Sequence, residues 1–424
     1  MKILIVGSGG REHALAWKLA HDTVRPEIFC APGNAGTAAL GENLPIQADD
    51  LTALSDWARR ARPDLTVIGP EAPLCAGLAD LLQADGLRVF GPTQDAARME
   101  GSKIFAKEVL AAAGVPTAGA GSFDDVAAAK AYIRGKQLPL VIKADGLAAG
   151  KGVLICQTNA EAEAAVESIM VRNEFGAAGR QILIEECLTG NEISVLALVD
   201  GKRALLLPPA QDHKRIGDGD TGKNTGGMGA YSPAPWDTPD FRTMVLDTVF
   251  KPTLRELTRR GIEYRGVLYA GLMLTDSGPK VLEFNCRFGD PETQVILPRL
   301  QSDLFPALTA CCDGALDDSL LTVNPAACAC VVLAAGGYPD QYRKGDRITG
   351  LEAAAALPDT VVFHAGVKLE DGCPVTNGGR VLSVSALGTD LPAAVANAYK
   401  AARLIKFDGV YMRKDIGARG LNAG

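Results

Sequence analysis

Glu283-Phe284-Asn285-Cys286-Arg287-Phe288-Gly289-Asp290-Pro291-Glu292-Thr293-Gln294 closes a strand-like run and opens a turn crowded with charge. The run Lys280 to Asn285 has the character of a strand. Side chains at i and i+2 of a strand project from one face, so the oxygens of Glu283 and Asn285 point the same way. A carboxylate and an amide, with the remaining positions left to phosphates and water, are a donor set suited to Mg²⁺. A second acid on the neighbouring run Val267 to Thr275 would strengthen that set, and none occurs there. The arginine and two acids that follow, Arg287, Asp290 and Glu292, are hard to account for as a merely structural turn.

Glu192 to Asp200, Lys202 to Leu207, Val267 to Thr275 and Lys280 to Asn285 predict one antiparallel sheet, interrupted by a long polar loop and a helix. Loops of that length are usually functional. This one carries Gln211-Asp212-His213-Lys214-Arg215 and Asn224-Thr225-Gly226-Gly227-Met228-Gly229. Its polar groups and glycines, Asp212 and Asn224 among them, fit a substrate wall, and a solvated excursion is the plainer alternative.

Ahead of that sheet the order is helix (Phe123 to Arg134), strand (Leu138 to Ala144), glycine-rich loop, strand (Gly152 to Cys156), helix (Ala160 to Val171) and strand (Gln181 to Glu186), a compact α+β unit. The loop Asp145-Gly146-Leu147-Ala148-Ala149-Gly150-Lys151-Gly152 departs from a phosphate-binding P-loop. The spacing between Gly146 and Gly150 is too short, and Gly152 stands where a P-loop carries its magnesium-binding hydroxyl. A strand-loop-strand hairpin with Gly150, Lys151 and Gly152 can instead fold over a triphosphate as a lid, or be a plain hairpin. Lys103, on a helix predicted over Gly101 to Ala113, and Lys143, inside an apolar strand, would flank the phosphates. Two unit charges about 4 Å apart repel by roughly 4 kcal/mol at a surface-like dielectric, so an anionic nucleophile needs such cations. Glu185-Glu186-Cys187-Leu188 followed by Gly190-Asn191-Glu192 suits a connector whose backbone reads adenine while Glu192 takes the ribose hydroxyls; charged turn residues are the alternative.

At the amino end, short apolar strands alternate with helical stretches from Lys2 to Phe90, which predicts a doubly wound parallel sheet closing near residue 101. Gly7-Ser8-Gly9-Gly10-Arg11-Glu12-His13 follows the first strand and opens a helix, a geometry that holds anions such as phosphate. The dinucleotide fingerprint wants glycine where Glu12 stands, and Ala31-Pro32-Gly33-Asn34 offers no carboxylate for a ribose diol, so a nicotinamide oxidoreductase is disfavoured. After Asn324-Pro325, the runs Ala329 to Ala334, Val361 to Val367 and Val381 to Ala386 with a helix from Leu391 to Leu404 predict a small C-terminal α+β domain.

The composition of this 424-residue chain, 47% hydrophobic and 22% charged, supports several cores, and its 47 glycines outweigh the 5% of aromatics on which protein-recognition modules rely. A net charge of -7 offers no footprint for nucleic acid. No signal peptide or membrane-spanning run is read, so a cytoplasmic protein is expected. The 10 dispersed cysteines are expected to be reduced, and Cys328-Ala-Cys330 and Cys311-Cys312 lack zinc-site spacing.

In this order the motifs resemble the ATP-grasp superfamily, and within it the phosphoribosylamine–glycine ligase family. The likeness extends through Gly9 to Ala14, Ala31 to Gly36, Gly69 to Leu74, Arg287 to Gln294 and Arg413-Lys414-Asp415-Ile416-Gly417. It implies a fold of an N-terminal Rossmann-like domain (1–101), an ATP-grasp main domain (102–121 and 188–325), a lid (122–187) and a C-terminal α+β domain (326–424). It also implies ligation of glycine to 5-phosphoribosylamine with cleavage of ATP, in de novo purine synthesis. By that resemblance Glu283 and Asn285 would hold Mg²⁺, with Mn²⁺ as the alternative ion. Lys103, Lys143, Glu185, Glu186, Leu188 and Glu192 would bind ATP, under the loop of Gly150, Lys151 and Gly152. Gly9, Gly10 and Asn34 would face the phosphoribosyl group. Arg287 and Lys143 would stabilise the transferring phosphoryl group, and Asp212 and Asp290 are candidates for the glycine ammonium. No partner beyond these small molecules is expected, and the chain is read as a monomer. The rivals are a sister ATP-grasp enzyme with another substrate pair and a nucleotide-binding regulator without catalysis.

Overall fold

A computed structural model describes residues 1–148 and 152–422. The predicted site residues Gly150 and Lys151 lie outside them. The amino-terminal unit runs β1 (Lys2–Gly7), α1 (Gly10–Ala20), β2 (Glu27–Pro32), β3 (Glu42–Asn43), α2 (Leu51–Ala61), β4 (Leu65–Ile68), α3 (Glu71–Cys75), α4 (Leu78–Ala84) and β5 (Val89–Phe90). The sheet is parallel, in the order β3-β2-β1-β4-β5. Ile3, Leu4, Ile5 and Val6 of the central strand are fully buried because both faces of such a sheet are covered, which is why β1 reads as a continuous apolar run. The winding reverses between β1 and β4, so the loops after these strands open a crevice at their carboxyl ends, the usual ligand position of this topology.

The helix expected over Gly101 to Ala113 is α6 (Lys103–Ala113), and a separate helix, α5 (Gln94–Gly101), precedes it. Ser102 breaks them with extended dihedrals, and its Oγ accepts the Phe105 N–H at 3.1 Å. A serine oxygen satisfying a first-turn donor is a helix start, which the apolar period alone does not register.

The next unit is β6 (Ala120–Phe123), α7 (Val126–Arg134), β7 (Leu140–Ala144), β8 (Val153–Cys156), α8 (Asn159–Val166) and β9 (Ile182–Glu186), in an antiparallel sheet of order β6-β9-β7-β8. Strand β6 occupies the stretch just before the expected helix, and the helix begins only after Asp125, which caps the Ala128 N–H at 2.7 Å. Its core of Ile133, Leu140, Ile142, Ile182 and Ile184 is separate from the others.

Downstream come β10 (Asn191–Asp200), β11 (Ala204–Leu206), β12 (Gln211–Asp212), β13 (Arg215–Gly217), β14 (Thr221–Asn224), β15 (Gly229–Ser232), β16 (Arg265–Thr275), β17 (Gly278–Asn285), β18 (Ala327–Ala334), β19 (Thr360–His364), β20 (Val367–Glu370), β21 (Cys373–Thr376) and β22 (Arg380–Gly388). The expected antiparallel sheet is β11-β10-β16-β17, with Glu283 opposite Gly271 and Asn285 opposite Tyr269. Its short strand starts at Ala204 because Asp200 Oδ1 accepts the Lys202 and Arg203 N–H groups in a turn.

The C-terminal sheet corrects the reading of the polar loop. Its order is β12-β15-β18-β22-β19, so two of its strands come from the segment expected to be irregular, and β13 and β14 form a separate hairpin between them. The expected strand Val361 to Val367 is split, since β19 ends at His364 and Val367 begins the β20–β21 hairpin. Among the described residues no helix is long and apolar enough to cross a membrane.

Candidate active site

The loop after β1 is shaped by a carboxylate. Gly9 N–H and Arg11 Nε both donate to Glu12, each at 2.6 Å. A Cβ on Gly69 would lie 2.1 Å from Glu12 Oε1, and one on Gly7 would lie 2.6 Å from Glu12 Cγ. Glu12 thus fills the inner side of the turn, where a dinucleotide fingerprint needs an empty glycine position. Gly9 and Gly10 line the turn at the start of α1.

Asn34 is placed differently from expectation. Its amide nitrogen donates to Ser8 O and His364 O, both at 2.8 Å, and its oxygen accepts the Gly36 and Thr37 N–H groups. The side chain is buried and saturated by protein partners, so it holds the loop against β19 rather than facing a substrate. His13 makes the same junction, its Nδ1 accepting the His364 N–H at 2.7 Å. Burial, and then the neighbouring His364, lower its pKa to about 3 and keep the ring neutral.

Asp290 reaches this loop: a Cβ on Gly9 would lie 3.5 Å from its Oδ2. Its carboxylate pairs with Arg380 at 3.1 Å and accepts Gln294 Nε2 at 2.8 Å. Burial works against ionisation, but Arg380 and Arg11 outweigh it and hold the pKa below the ordinary aspartate value. Arg287 is gripped by two acids, Glu71 at 3.1 Å and Glu100 at 2.9 Å, and donates to Asn285 Oδ1 at 3.3 Å. Burial opposes its charge, and Glu100 and Glu71 more than restore it.

Glu283 is the focus of the site. Lys214 Nζ lies 3.9 Å from it, and Lys143 Nζ donates at 3.1 Å to the adjacent Leu282 O. Burial raises its pKa, but Lys214, Lys143, Lys103 and Arg287 together lower it below the ordinary value. Lys103 Nζ donates to Gly146 O at 2.9 Å, tying α6 to the glycine-rich loop, and burial lowers its pKa despite Glu283. Asp145, at the start of that loop, accepts Ser102 Oγ and the Ile104 N–H, a second tie. Gly152 is buried, and a Cβ there would lie 2.7 Å from Ala148 Cβ.

The two acids at the end of β9 part company. Glu185 turns inward, 2.5 Å from Lys143 Nζ, with Lys107 on its other oxygen. Its side chain is spent on lysines, which corrects the expectation that it binds nucleotide directly. Glu186 is exposed, accepts the Gly119 N–H at 3.0 Å and lies 3.6 Å from Lys280, so any contact with adenine is left to backbone there and at half-buried Leu188. Glu192 pairs with Lys214. Asp212, beside Lys214 in sequence, is buried; burial, with Glu292 and Glu192 added, raises its pKa to about 8 against the pull of Lys214. Asn224 sits on β14, exposed and opposite Arg215.

Among the described residues no group of three or more His, Cys, Asp and Glu could hold a metal, and the candidate donors are Glu283 and Asn285. These are hard oxygen donors beside a cationic wall, which fits a magnesium ion shared with phosphates better than a closed protein cage. Sequence reasoning assigned no role to Lys107, Glu71, Glu100 or Arg380, and placed Lys214 only within a polar loop read as a substrate wall. Only Glu71 carried a positional signal, since it follows the carboxyl end of β4 at the switch in strand order.

Phosphoribosylglycinamide synthetase family models match the chain as an N domain over residues 1–100, an ATP-grasp (A) domain over 101–293 and a C domain over 328–419. The phosphoribosylamine–glycine ligase of Pseudomonas aeruginosa is 53% identical over 424 residues, covering 99% of this chain and 98% of that protein. That of Synechocystis sp. is 51% identical, covering 99% and 100%. The crystal structure of phosphoribosylamine–glycine ligase from Thermotoga maritima matches with a TM-score of 0.87 at 36% identity, covering 98% of this chain and 100% of that one. The biotin carboxylase domain of 2-oxoglutarate carboxylase from Hydrogenobacter thermophilus matches with a TM-score of 0.76 at 17% identity over 97% of this chain and 91% of that one, a likeness of fold alone.

Proposed function

The chain belongs to the phosphoribosylamine–glycine ligase family, and from that premise we propose that it joins glycine to 5-phosphoribosylamine, cleaving ATP to ADP and phosphate in purine biosynthesis. The observation that carries the reading is the convergence of Lys103, Lys143, Lys214 and Arg287 on Glu283, brought from distant parts of the chain.

In the proposed reaction a glycine carboxylate oxygen attacks the γ-phosphorus in line, the bond to the β,γ-bridging oxygen breaks, and ADP leaves. The amine of phosphoribosylamine then attacks the carbonyl carbon of glycyl phosphate, releasing phosphate and a proton. Both reactants of the first step are anionic, so the lysines and Arg287 stabilise charge spread over the transferring group. Mg²⁺, or Mn²⁺ on the same oxygen donors, would be held by Glu283 and Asn285 and would supply Lewis-acid neutralisation of the phosphate oxygens.

Glu192 takes the ribose, the backbone from Glu186 to Leu188 takes adenine, and Glu185 acts through Lys143. Gly9 and Gly10 receive the ribose phosphate at the helix start. Asp290 or Asp212 takes the glycine ammonium, and Asn224 belongs to the outer wall. Residues 1–101 carry the sugar site, 102–121 with 188–325 the nucleotide and metal, and 326–424 close the acceptor side. Acyl phosphates hydrolyse readily, so residues 122–187, with Gly150, Lys151 and Gly152, act as a lid that excludes water. We read the enzyme as a cytoplasmic monomer.

The test is ADP release with Mg²⁺, ATP, glycine and freshly generated phosphoribosylamine, omitting each in turn, with mass detection of the product. ADP formation that needs all components, with glycinamide ribonucleotide one for one, is expected. ADP without that product overturns the substrate assignment.

A further inference from the structure

Among the described residues Arg413 is the largest side chain with no solvent exposure, and it lies far in sequence from every residue given a role above. Four hydrogen bonds hold its guanidinium. Nε and Nη2 form a fork on Asp415 at 2.7 and 2.6 Å, while Nη1 donates at 3.0 Å to both Arg215 O and Asp220 Oδ1. Asp220 belongs to the turn of the β13–β14 hairpin, and Arg215 is the residue immediately after Lys214.

The same C-terminal segment grips the other neighbours of Lys214. Gly417 N–H donates to His213 Nε2 at 3.1 Å, and Arg419 Nη1 donates to Asp212 O at 3.4 Å. Arg419 also pairs with Asp220 at 2.6 Å. The chain on both sides of Lys214 is therefore fixed by one strap from the C-terminal unit, while the Lys214 ammonium projects away from it to Glu192 and Glu283. A long lysine side chain is directed to two acids only if its backbone is held, and a displacement of about 1 Å near reacting groups can lower a rate by about a hundredfold.

We propose that Arg413, acting from the C-terminal strap, is a positioning residue that holds the backbone at Lys214 so that its ammonium bridges the ribose-side acid Glu192 and the metal-side acid Glu283. The inference rests on the role given above to Lys214. Lysine at position 413 keeps the charge but not the planar fork, so it cannot hold Asp415 and the hairpin together.

The experiment is a double-mutant cycle on the full-length enzyme with Arg413→Lys and Lys214→Ala, scored on kcat, on KM for ATP and on MgATP affinity, with thermal stability measured alongside. Arg413→Lys alone is expected to lower kcat/KM for ATP about tenfold, and less than about twofold further in the Lys214→Ala background, because residues that act through one another are not additive. Factors that multiply in the double variant would show a merely structural role and overturn the inference. Arg419→Ala, at a side chain 32% exposed, runs the same cycle without dependence on whether Arg413→Lys folds. If wild type forms no glycinamide ribonucleotide, the functional reading fails by itself. The cycle on MgATP affinity then still supports the positioning role by coupling or overturns it by multiplicativity.

Discussion

Lys143 and Glu185 form a 2.5 Å ion pair in which the side chains are 8% and 3% exposed, and Lys107 pairs with the second carboxylate oxygen. One buried acid therefore organises a buried and a half-buried cation at the root of the proposed nucleotide site. Removing one partner of such a cluster costs about 3–5 kcal/mol, because the remaining charges are left uncompensated. Glu185→Ala should lose stability of that order in chemical denaturation and raise the KM for ATP. A loss below about 1 kcal/mol, the scale of an exposed pair, would show that the lysines find other partners.

Glu283→Ala should reduce ligation by at least about a hundredfold at saturating Mg²⁺, since it removes the carboxylate on which four cations converge. The measurement is turnover over a Mg²⁺ titration. A fall of less than about tenfold, roughly 1.4 kcal/mol, would withdraw the metal role from this residue.

Asp212 gives a pH dependence with a definite sign. Burial raises its pKa from 3.8 to about 8, so the folded protein retains a proton that the unfolded chain releases. This group's contribution to stability therefore declines as pH climbs from about 4 to about 8. A neutral acid attracts an ammonium weakly and a carboxylate strongly, so the KM for glycine should fall as pH rises through about 8 in the wild type. Asp212→Asn should flatten that profile. A profile unchanged by the substitution would move the ammonium site to Asp290.

Gly9→Ala tests the sugar side. The added Cβ would meet Glu12 Oε2 at 2.8 Å and Asp290 Oδ2 at 3.5 Å, so the Glu12 carboxylate or the turn it shapes must shift. The KM for phosphoribosylamine should rise about tenfold, equivalent to about 1.4 kcal/mol, while the KM for ATP stays within about twofold. Equal effects on both would place the ribose phosphate elsewhere.

The local physics of this chain was legible residue by residue. Alternating short apolar runs and helical stretches specify the parallel sheet of β1 to β5, because a strand covered on both faces must be apolar throughout. The i, i+2 placement of Glu283 and Asn285 on β17 follows from the pleat, and Glu12 at a glycine position excludes a dinucleotide turn. Periods of two and 3.6 residues report only on neighbours, so elements too short to show a period were hidden. Strand β12, of two residues, and β15 joined the C-terminal sheet from a segment that reads as a polar loop.

Tertiary structure alone decided which polar groups meet. Glu185 and Glu186 are adjacent and identical in type, yet one is buried against Lys143 and Lys107 and the other is exposed beside Lys280. Asn34 reads as a substrate contact and is consumed in holding the loop to β19. Glu100 and Arg380 look like ordinary charged residues until the fold brings their partners to them. A charge declares its role only through what surrounds it, since water would satisfy it equally well in an open loop, whereas burial demands a counter-charge or hydrogen-bond partner from elsewhere in the chain.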